Sequence, residues 1–344
     1  MKRRWIVLFL AGALVLTFAW AIFLPKGRIQ QELQQRLIEQ KATPDLQLKG
    51  VTFSESAGDI KYWEIVSATS RLNRDTGQAQ LQELNGLFFD SNKPALHFSA
   101  PTAEWNMKSK EISIQEPTGF EVTAYDRNDP QSAPQSPAAL SFAAKKLRWS
   151  LDDQELRTDA GILFKRGPMT ISAGKLEARV TLANALLTDE PVARMGGDAT
   201  LTAKIFQLDA GNHILTASGE AEVKRLDIRV NSDVIQYRER DEVLAAIGRV
   251  RGQKGDLTLT AEEGSYSLPL HTLALRGSVL ALYQNIRAQG DALLFNEKEN
   301  SLTVLGHVLA HRDKDEFRGE SAKIWLSSKR IEVKGKSRIE IDEP

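Results

Sequence analysis

Five glycines, Gly219, Gly248, Gly277, Gly306 and Gly335, stand 29 residues apart. A second series keeps the period through Ala203, Ser232, Ala261, Gly290 and Gly319, and its last four members each precede an acid: Asp233, Glu262, Asp291 and Glu320. Such a period marks stacked supersecondary units, each burying its apolar face against its neighbours. The two series interleave in alternating steps of 13 and 16 residues. Turn signals lie between them, among them Gln253-Lys254-Gly255-Asp256 and Arg312-Asp313-Lys314-Asp315. Each small residue therefore falls near the middle of a strand, where it marks a bend or a bulge. The spacing predicts an all-β chain, an antiparallel meander of bent strands. The first half of each strand belongs to one sheet and the second half to a facing sheet.

Alternation assigns the faces. In the stretch 331–341 every second residue is apolar or small and the others are charged, the pattern of a strand with one wet face. Ile331 and Val333 then point inward. The same phase places Leu302, Val304 and Val308 inside in the preceding unit, and Leu273, Leu275 and Val279 before that. Leu244, Ala246 and Val250 follow suit, as do Leu215, Ala217 and Val223. In the other series the phase slips by one after the small-acidic pair, which a bulge at the bend would produce. Tyr237, Tyr266, Phe295 and Ile324 then form one inward column.

The first half keeps the rule less strictly. Ala103 to Gly119 is a 16-residue step and Gly161 to Gly174 a 13-residue step, whereas the sixteenth residue after Gly174 is Glu190. Residues 126–138, rich in Pro, Ser, Gln and Asn, read as an exposed loop. A Gly/Pro-rich break at residues 191–198 reads as the internal boundary.

Charge and composition narrow the function. With 45 basic and 45 acidic residues interspersed, nothing draws the chain to nucleic acid. The absence of cysteine excludes disulfides, thiolate metal sites and cysteine nucleophiles. Lys2, Arg3 and Arg4 precede residues 5–24, twenty residues without a charge. As a helix this run is ~30 Å long, the thickness of a bilayer core, and the basic flank keeps the amino terminus cytoplasmic. Ala19-Trp20-Ala21 offers the alternative of a weak signal-peptide cleavage site. Residues 29–41 are polar and helix-prone and read as a stalk.

Several motifs carry a family resemblance. After the basic start and the apolar run come Gly58-Asp59-Ile60-Lys61-Tyr62-Trp63-Glu64-Ile65, Leu84-Asn85-Gly86-Leu87-Phe88-Phe89 and Ala100-Pro101-Thr102-Ala103-Glu104-Trp105. This order resembles LptC, the inner-membrane-anchored component of the lipopolysaccharide export bridge. From about residue 195 the small-acidic pairs and the pattern Leu302-x-Val304-x-Gly306-x-Val308 resemble the LptA/OstA periplasmic module. The resemblance implies a bent, β-taco-like jellyroll (OstA-like) behind one amino-terminal transmembrane helix. The expected division is 1–28 tip and anchor, 29–45 stalk, 46–190 LptC-like jellyroll and 191–344 OstA/LptA-like jellyroll. It also implies an open groove that carries lipid A chains. The implied partners are lipopolysaccharide, the LptB/LptF/LptG transporter and a downstream LptA- or LptD-type OstA domain.

The inward columns are the candidate lining of that groove, and the alternative is an ordinary dry sandwich core. The glycine line also removes side-chain bulk from one strip of the interior. Residues 331–341, with Ile331, Val333, Ile339 and Ile341 facing inward, form a candidate docking edge. Nothing points to catalysis or to a cofactor. The stretch Gly248-Arg249-Val250-Arg251-Gly252-Gln253-Lys254 lacks P-loop spacing, and His307 and His311 are only a strand-spaced pair. The acid column reads as stacked carboxylates at the bends, with calcium sites as the alternative. Two other functions compete: a membrane-anchored structural or adhesive repeat protein, and a parallel β-helix that cleaves polysaccharide.

Overall fold

A computed structural model describes residues 46–122 and 139–340. The anchor, the stalk, the loop at 126–138 and Ile341 lie outside the described residues. No helix among the described residues is long and apolar enough to cross a membrane. Residues 47–72 and 77–344 form one unit, described below. Residues 73–76 make a local turn, in which Asn73 Oδ1 accepts hydrogen bonds from the Asp75 and Thr76 amides at 3.1 and 3.0 Å.

From the third strand onward every pairing between described strands is antiparallel and joins neighbours in a meander, which removes the β-helix reading. The first four strands are long: β1 (Leu46–Ala57), β2 (Ile60–Asn73), β3 (Gln78–Asp90) and β4 (Lys93–Asn106). The next six are each split into two arms at the bend. These are β5 and β6 (Glu111–Gln115, Thr118–Glu121), β7 and β8 (Ser141–Ala144, Lys146–Ser150), and β9 and β10 (Glu155–Thr158, Ile162–Arg166). They continue as β11 and β12 (Met169–Ala173, Lys175–Arg179), β13 and β14 (Ala185–Thr188, Val192–Met195), and β15 and β16 (Ala199–Thr202, Ile205–Asp209). Eight unsplit strands follow: β17 (Ile214–Arg225), β18 (Ile228–Arg238), β19 (Val243–Lys254), β20 (Leu257–Ser267), β21 (Thr272–Tyr283), β22 (Ile286–Asn296), β23 (Ser301–Arg312) and β24 (Asp315–Trp325). The last strand is split again, into β25 (Arg330–Lys334) and β26 (Arg338–Glu340).

The bend is a bulge of fixed form. Between β19 and β20 the register jumps from Ile247↔Glu263 to Val250↔Ala261, so Gly248 and Arg249 stand opposite Glu262 alone. Gly248 has φ +79° and Arg249 +47°, and the same two-residue left-handed step recurs at Gly277-Ser278 and Gly306-His307. Glycine suits the first position because a side chain there is strained. A Cβ on Gly248 would also lie 2.6 Å from Asp233 Oδ2. The acid of each pair lies over the next strand's glycine and engages the residue after it: Asp233 with Arg249, Glu262 with Ser278, and Asp291 with His307. The phase slip in the other series has the same cause, one acid facing two residues.

Several local expectations change. The glycine line faces this acid ladder, so it does not clear the interior. In the repeats the glycines where a Cβ would meet inward side chains are Gly252, Gly264, Gly290 and Gly319, and in the amino-terminal part Gly86 and Gly119. Ala103 and Gly119 are not at bends. β4 pairs β6 up to Ser99 and β5 from Thr102, which puts the 16-residue step at Ala100-Pro101 and Glu116-Pro117. The step to Glu190 is kept, because Asp189 and Glu190 fill the bend at φ +65° and +55° without glycine. Residues 331–341 do not form one strand, since the ladder breaks at Gly335 between β25 and β26. The sheet runs on across residues 190–191 through the β14–β15 and β15–β17 pairings.

Candidate functional site

Folding the sheet along the bend column encloses one apolar cluster from Trp63 to Leu326. In the amino-terminal part aromatic rings fill it, with Trp63 edge-on to Trp105 at 5.1 Å and Phe88 stacked on Phe98 at 5.0 Å. In the repeats the ladder sets one row across the strands: Leu215–Tyr237–Leu244–Tyr266–Leu273–Phe295–Leu302–Ile324–Ile331, each directly opposite the next. Facing positions in a sheet are close enough for such pairs to pack. The other arm carries a row of smaller residues, Val223–Val230–Gly252–Leu259–Ala281–Ala288–Ala310. These two rows differ in bulk, but each arm mixes sizes: the second arm also buries Ile228, Leu257 and Ile286, and its smaller row ends on Phe317, opposite Ala310. The predicted inward positions from Leu215 to Ile324, including Ala217, Val223, Ala246, Val250, Leu275, Val279, Val304 and Val308, are all at most 7% exposed. Ile331 and Val333, on the last strand, are half-buried.

Hairpin turns alternate between two lips of the folded sheet. One lip carries the turns at 150–155, 179–185, 209–214, 238–243, 267–272 and 296–301; the other carries those at 90–93, 166–169, 195–199, 225–228 and 254–257. Two arginines of the second lip reach across the seam. Arg166, 4% exposed, donates to Ala210 O at 3.2 Å and to Glu239 Oε2 at 3.0 Å on the first lip, and to Glu121 Oε2 at 2.9 Å on its own lip. His213 Nδ1 lies 2.9 Å from the same guanidinium. Arg225, 8% exposed, donates to Tyr266 OH and to Glu297 Oε2, both at 2.7 Å. Tyr266 in turn donates to Glu297 Oε2 at 2.8 Å, and His271 Nδ1 lies 3.4 Å from that oxygen. Nearby, Lys254 Nζ sits 5.4 Å from the Phe295 ring centre.

The charges explain the titration of this cluster. Burial pushes the Glu297 carboxyl up, but the Tyr266 hydrogen bond and the Arg225 and Lys254 charges outweigh it and hold the group below its ordinary value. Burial first, then Glu297, pushes the Tyr266 phenol above its ordinary range, so it remains a donor. Paired charges of this kind tolerate burial because their mutual attraction and hydrogen bonds offset the lost hydration, and removing one partner would strand the other.

Toward the amino-terminal end the seam holds a cleft of about 700 Å3. Ile60, Tyr62 and Phe89 of one lip face Trp149, Val180 and Leu186 of the other across it. Gln154 Nε2 reaches Tyr62 OH there at 3.3 Å.

The arginine clusters are absent from the sequence reading, although alternation carries their signal. With Val223 inward, Arg225 is inward too, a charge where the pattern calls for an apolar residue. Among the described residues no group of three or more His, Asp or Glu could hold a metal ion. His307 binds Asp291 instead, and His311 lies 3.9 Å from Glu316.

Among curated proteins none matches the chain. One solved structure, LptH, the LptA homologous periplasmic component of the conserved lipopolysaccharide transport device from Pseudomonas aeruginosa, aligns with 42% of this chain and 95% of its own. The identity is 10% and the TM-score 0.21, a likeness too distant to carry an argument. The model of the family described as lipopolysaccharide-assembly, LptC-related matches residues 7–190, more than half of the sequence. The chain therefore belongs to the LptC-related family of lipopolysaccharide assembly, as a non-enzymatic component of lipopolysaccharide transport.

Proposed function

We propose that this protein is a lipid carrier of the export bridge. Its acyl-binding surface is the interior between the two arms. Residues 5–24 anchor it in the inner membrane with the amino terminus in the cytoplasm, and the β body stands in the periplasm as two jellyroll modules, 46–190 and 191–344. It receives lipopolysaccharide from the LptB/LptF/LptG transporter and passes it to an LptA- or LptD-type OstA domain at the edge formed by Ile331, Val333, Ile339 and Ile341.

The observation that carries this reading is the unbroken apolar row along the repeats, faced by a row on the other arm that is alanine, glycine and valine apart from Leu259 and, at its end, Phe317. Each methylene moved out of water contributes ~0.8 kcal/mol, so one long acyl chain exposed in an aqueous space costs on the order of 10 kcal/mol. A continuous apolar strip lowers that cost at every step of the path. The smaller row leaves room for a chain against the bulky row once the arms part, and the cleft between Ile60 and Leu186 is where the lips are already apart.

One observation favours a second reading, a structural repeat protein with a permanently dry core: the interior columns are packed almost free of solvent contact. Mass spectrometry of lipids retained by the full-length chain, extracted from membranes without detergent, separates the two. The carrier reading expects stoichiometric acylated lipid. A chain that retains none above the level of an unrelated single-pass protein is the structural repeat.

A further inference from the structure

The seam is tied by charges on both sides of the cleft but hardly at the cleft itself. Toward the carboxy-terminal end stands the Arg166 cluster, whose buried guanidinium binds Ala210 O and Glu239 across the seam. Toward the amino-terminal end Lys110, in the turn after β4, lies 3.5 Å from Glu55 near the end of β1. The turn that follows β1 borders the lip at 90–93, where Asn92 bonds to Lys61 N and Asp59 O. Between these two ties, the turns at 150–155 and 179–185 face that lip across the cleft. Among the described residues, the one hydrogen bond spanning the cleft joins Gln154 to Tyr62. Both groups are neutral and 3.3 Å apart, so this contact is much weaker than the charge-assisted bonds of the Arg166 cluster.

The floor of the cleft is the interior itself. Trp149, Ala178 and Val180 line it and belong to the buried apolar cluster. Tyr62 packs on Trp149 with ring centres 5.8 Å apart, so a movement of Tyr62 uncovers that floor. The amino-terminal end of the interior, by contrast, is plugged with rings. Trp105 has Phe53 at 5.8 Å and Trp63 at 5.1 Å, and Phe88 stacks on Phe98. A chain threaded past β1 to β4 would have to displace this close packing. The wall of the cleft that β8 and β12 supply lies beyond those four strands.

We propose that this cleft is a side port through which one acyl chain of a lipid enters the interior behind the aromatic plug, with Tyr62 and Gln154 as its latch. The proposal rests on the lipid-carrier reading and adds to it the point of entry. The volume of about 700 Å3 is in the range of pockets that enclose small ligands. Sideways entry lets the head group stay hydrated at the polar rim, beside Ser91, Thr181 and Asn184, while the chain alone leaves water.

The chain has no cysteine, so an engineered lock across the cleft is free of side reactions. Ser91→Cys and Ala183→Cys, which line opposite lips, are bridged by a bismaleimide with an internal disulfide, in the full-length chain in nanodiscs. A photo-crosslinker at interior position Leu215 then reads the arrival of added lipopolysaccharide. Bridging is expected to slow adduct formation at least tenfold, and reduction of the bridge to restore it. The same bridge between Ser265→Cys and Ala274→Cys, paired on the outer face, should leave the rate within twofold. Tyr62→Phe, which lacks the latch, should load at least twofold faster than the wild type, a gain that misfolding cannot mimic. If the bridged cleft loads as fast as the open one, the lipid enters elsewhere; the side port is then wrong and the carrier reading stands. Equal slowing by the outer-face bridge would also overturn the port, and a Tyr62→Phe chain that loads no faster would overturn the latch. If the open chain gives no adduct at Leu215, the carrier reading falls and the port falls with it.

Discussion

At Gly248 and Gly252, four residues apart on one strand, the same substitution has opposite prospects. Gly248 sits at φ +79° with Asp233 in the way of a Cβ, whereas a Cβ on Gly252 would meet Leu259 at 3.5 Å, ordinary contact. Gly248→Ala is expected to cost about 1–3 kcal/mol, and Gly252→Ala less than about 1 kcal/mol in either direction. Urea unfolding of both variants checks the contrast, and equal costs would remove the role given to the bulge. Glu297 makes a second prediction. Its folded-state pKa is depressed, so its stabilisation is present above the ordinary carboxyl value and is lost as pH falls below about 4.3. Wild-type stability should therefore fall more steeply than that of Glu297→Gln on acidification below this value, and the two should run parallel between pH 6 and 8. Residue type alone revealed the inward columns, because alternation is a period-two signal that needs no partner. The arginine clusters escaped because their partners, Glu239 and Glu297, lie 73 and 72 residues away along the chain.

Between elements, the bulge converts a straight hairpin ladder into a folded one, and it does so with or without glycine. Gly161 and Gly174 made the amino-terminal bends partly legible, but Asp189-Glu190 and Glu116-Pro117 occupy the same place with no such mark. The steps of 13 and 16 residues therefore describe geometry better than they describe composition. The last strand is the element most open to test. Residues of β25 pair with β24 from Ser321↔Lys334 to Trp325↔Arg330, and β26 pairs through Phe317↔Ile339. Beyond these pairings no described strand covers the edge, and an uncovered edge is a template for strand addition. Val333→Pro or Ile339→Pro is expected to abolish head-to-tail pairing with an OstA-type domain while the repeats before Lys314 stay folded. Pull-down with a downstream OstA-type protein, read together with circular dichroism, checks this. Normal binding by both variants would place the docking edge elsewhere.

On the scale of the whole molecule, each bent strand of the repeats pairs through its backbone only with its neighbours, so stability accumulates largely unit by unit, with Arg166 and Arg225 tying more distant strands across the seam. Deleting residues 301–329, one full period, joins Asn300 to Arg330 and brings Ile331 opposite Phe295 in place of Leu302. The shortened chain should still unfold cooperatively, with a thermal midpoint within several degrees of the parent; loss of cooperative unfolding would contradict the repeat account. What such a chain carries is decided inside the fold. Photo-crosslinking in cells, with the reactive side chain placed at Leu275, Phe295 or Val304 inside and at Arg276 or Lys334 outside, tests the central claim most directly. The carrier account predicts lipopolysaccharide adducts from the three interior positions and none from the two exterior ones. Equal labelling of both sets, or labelling of the exterior alone, would contradict it.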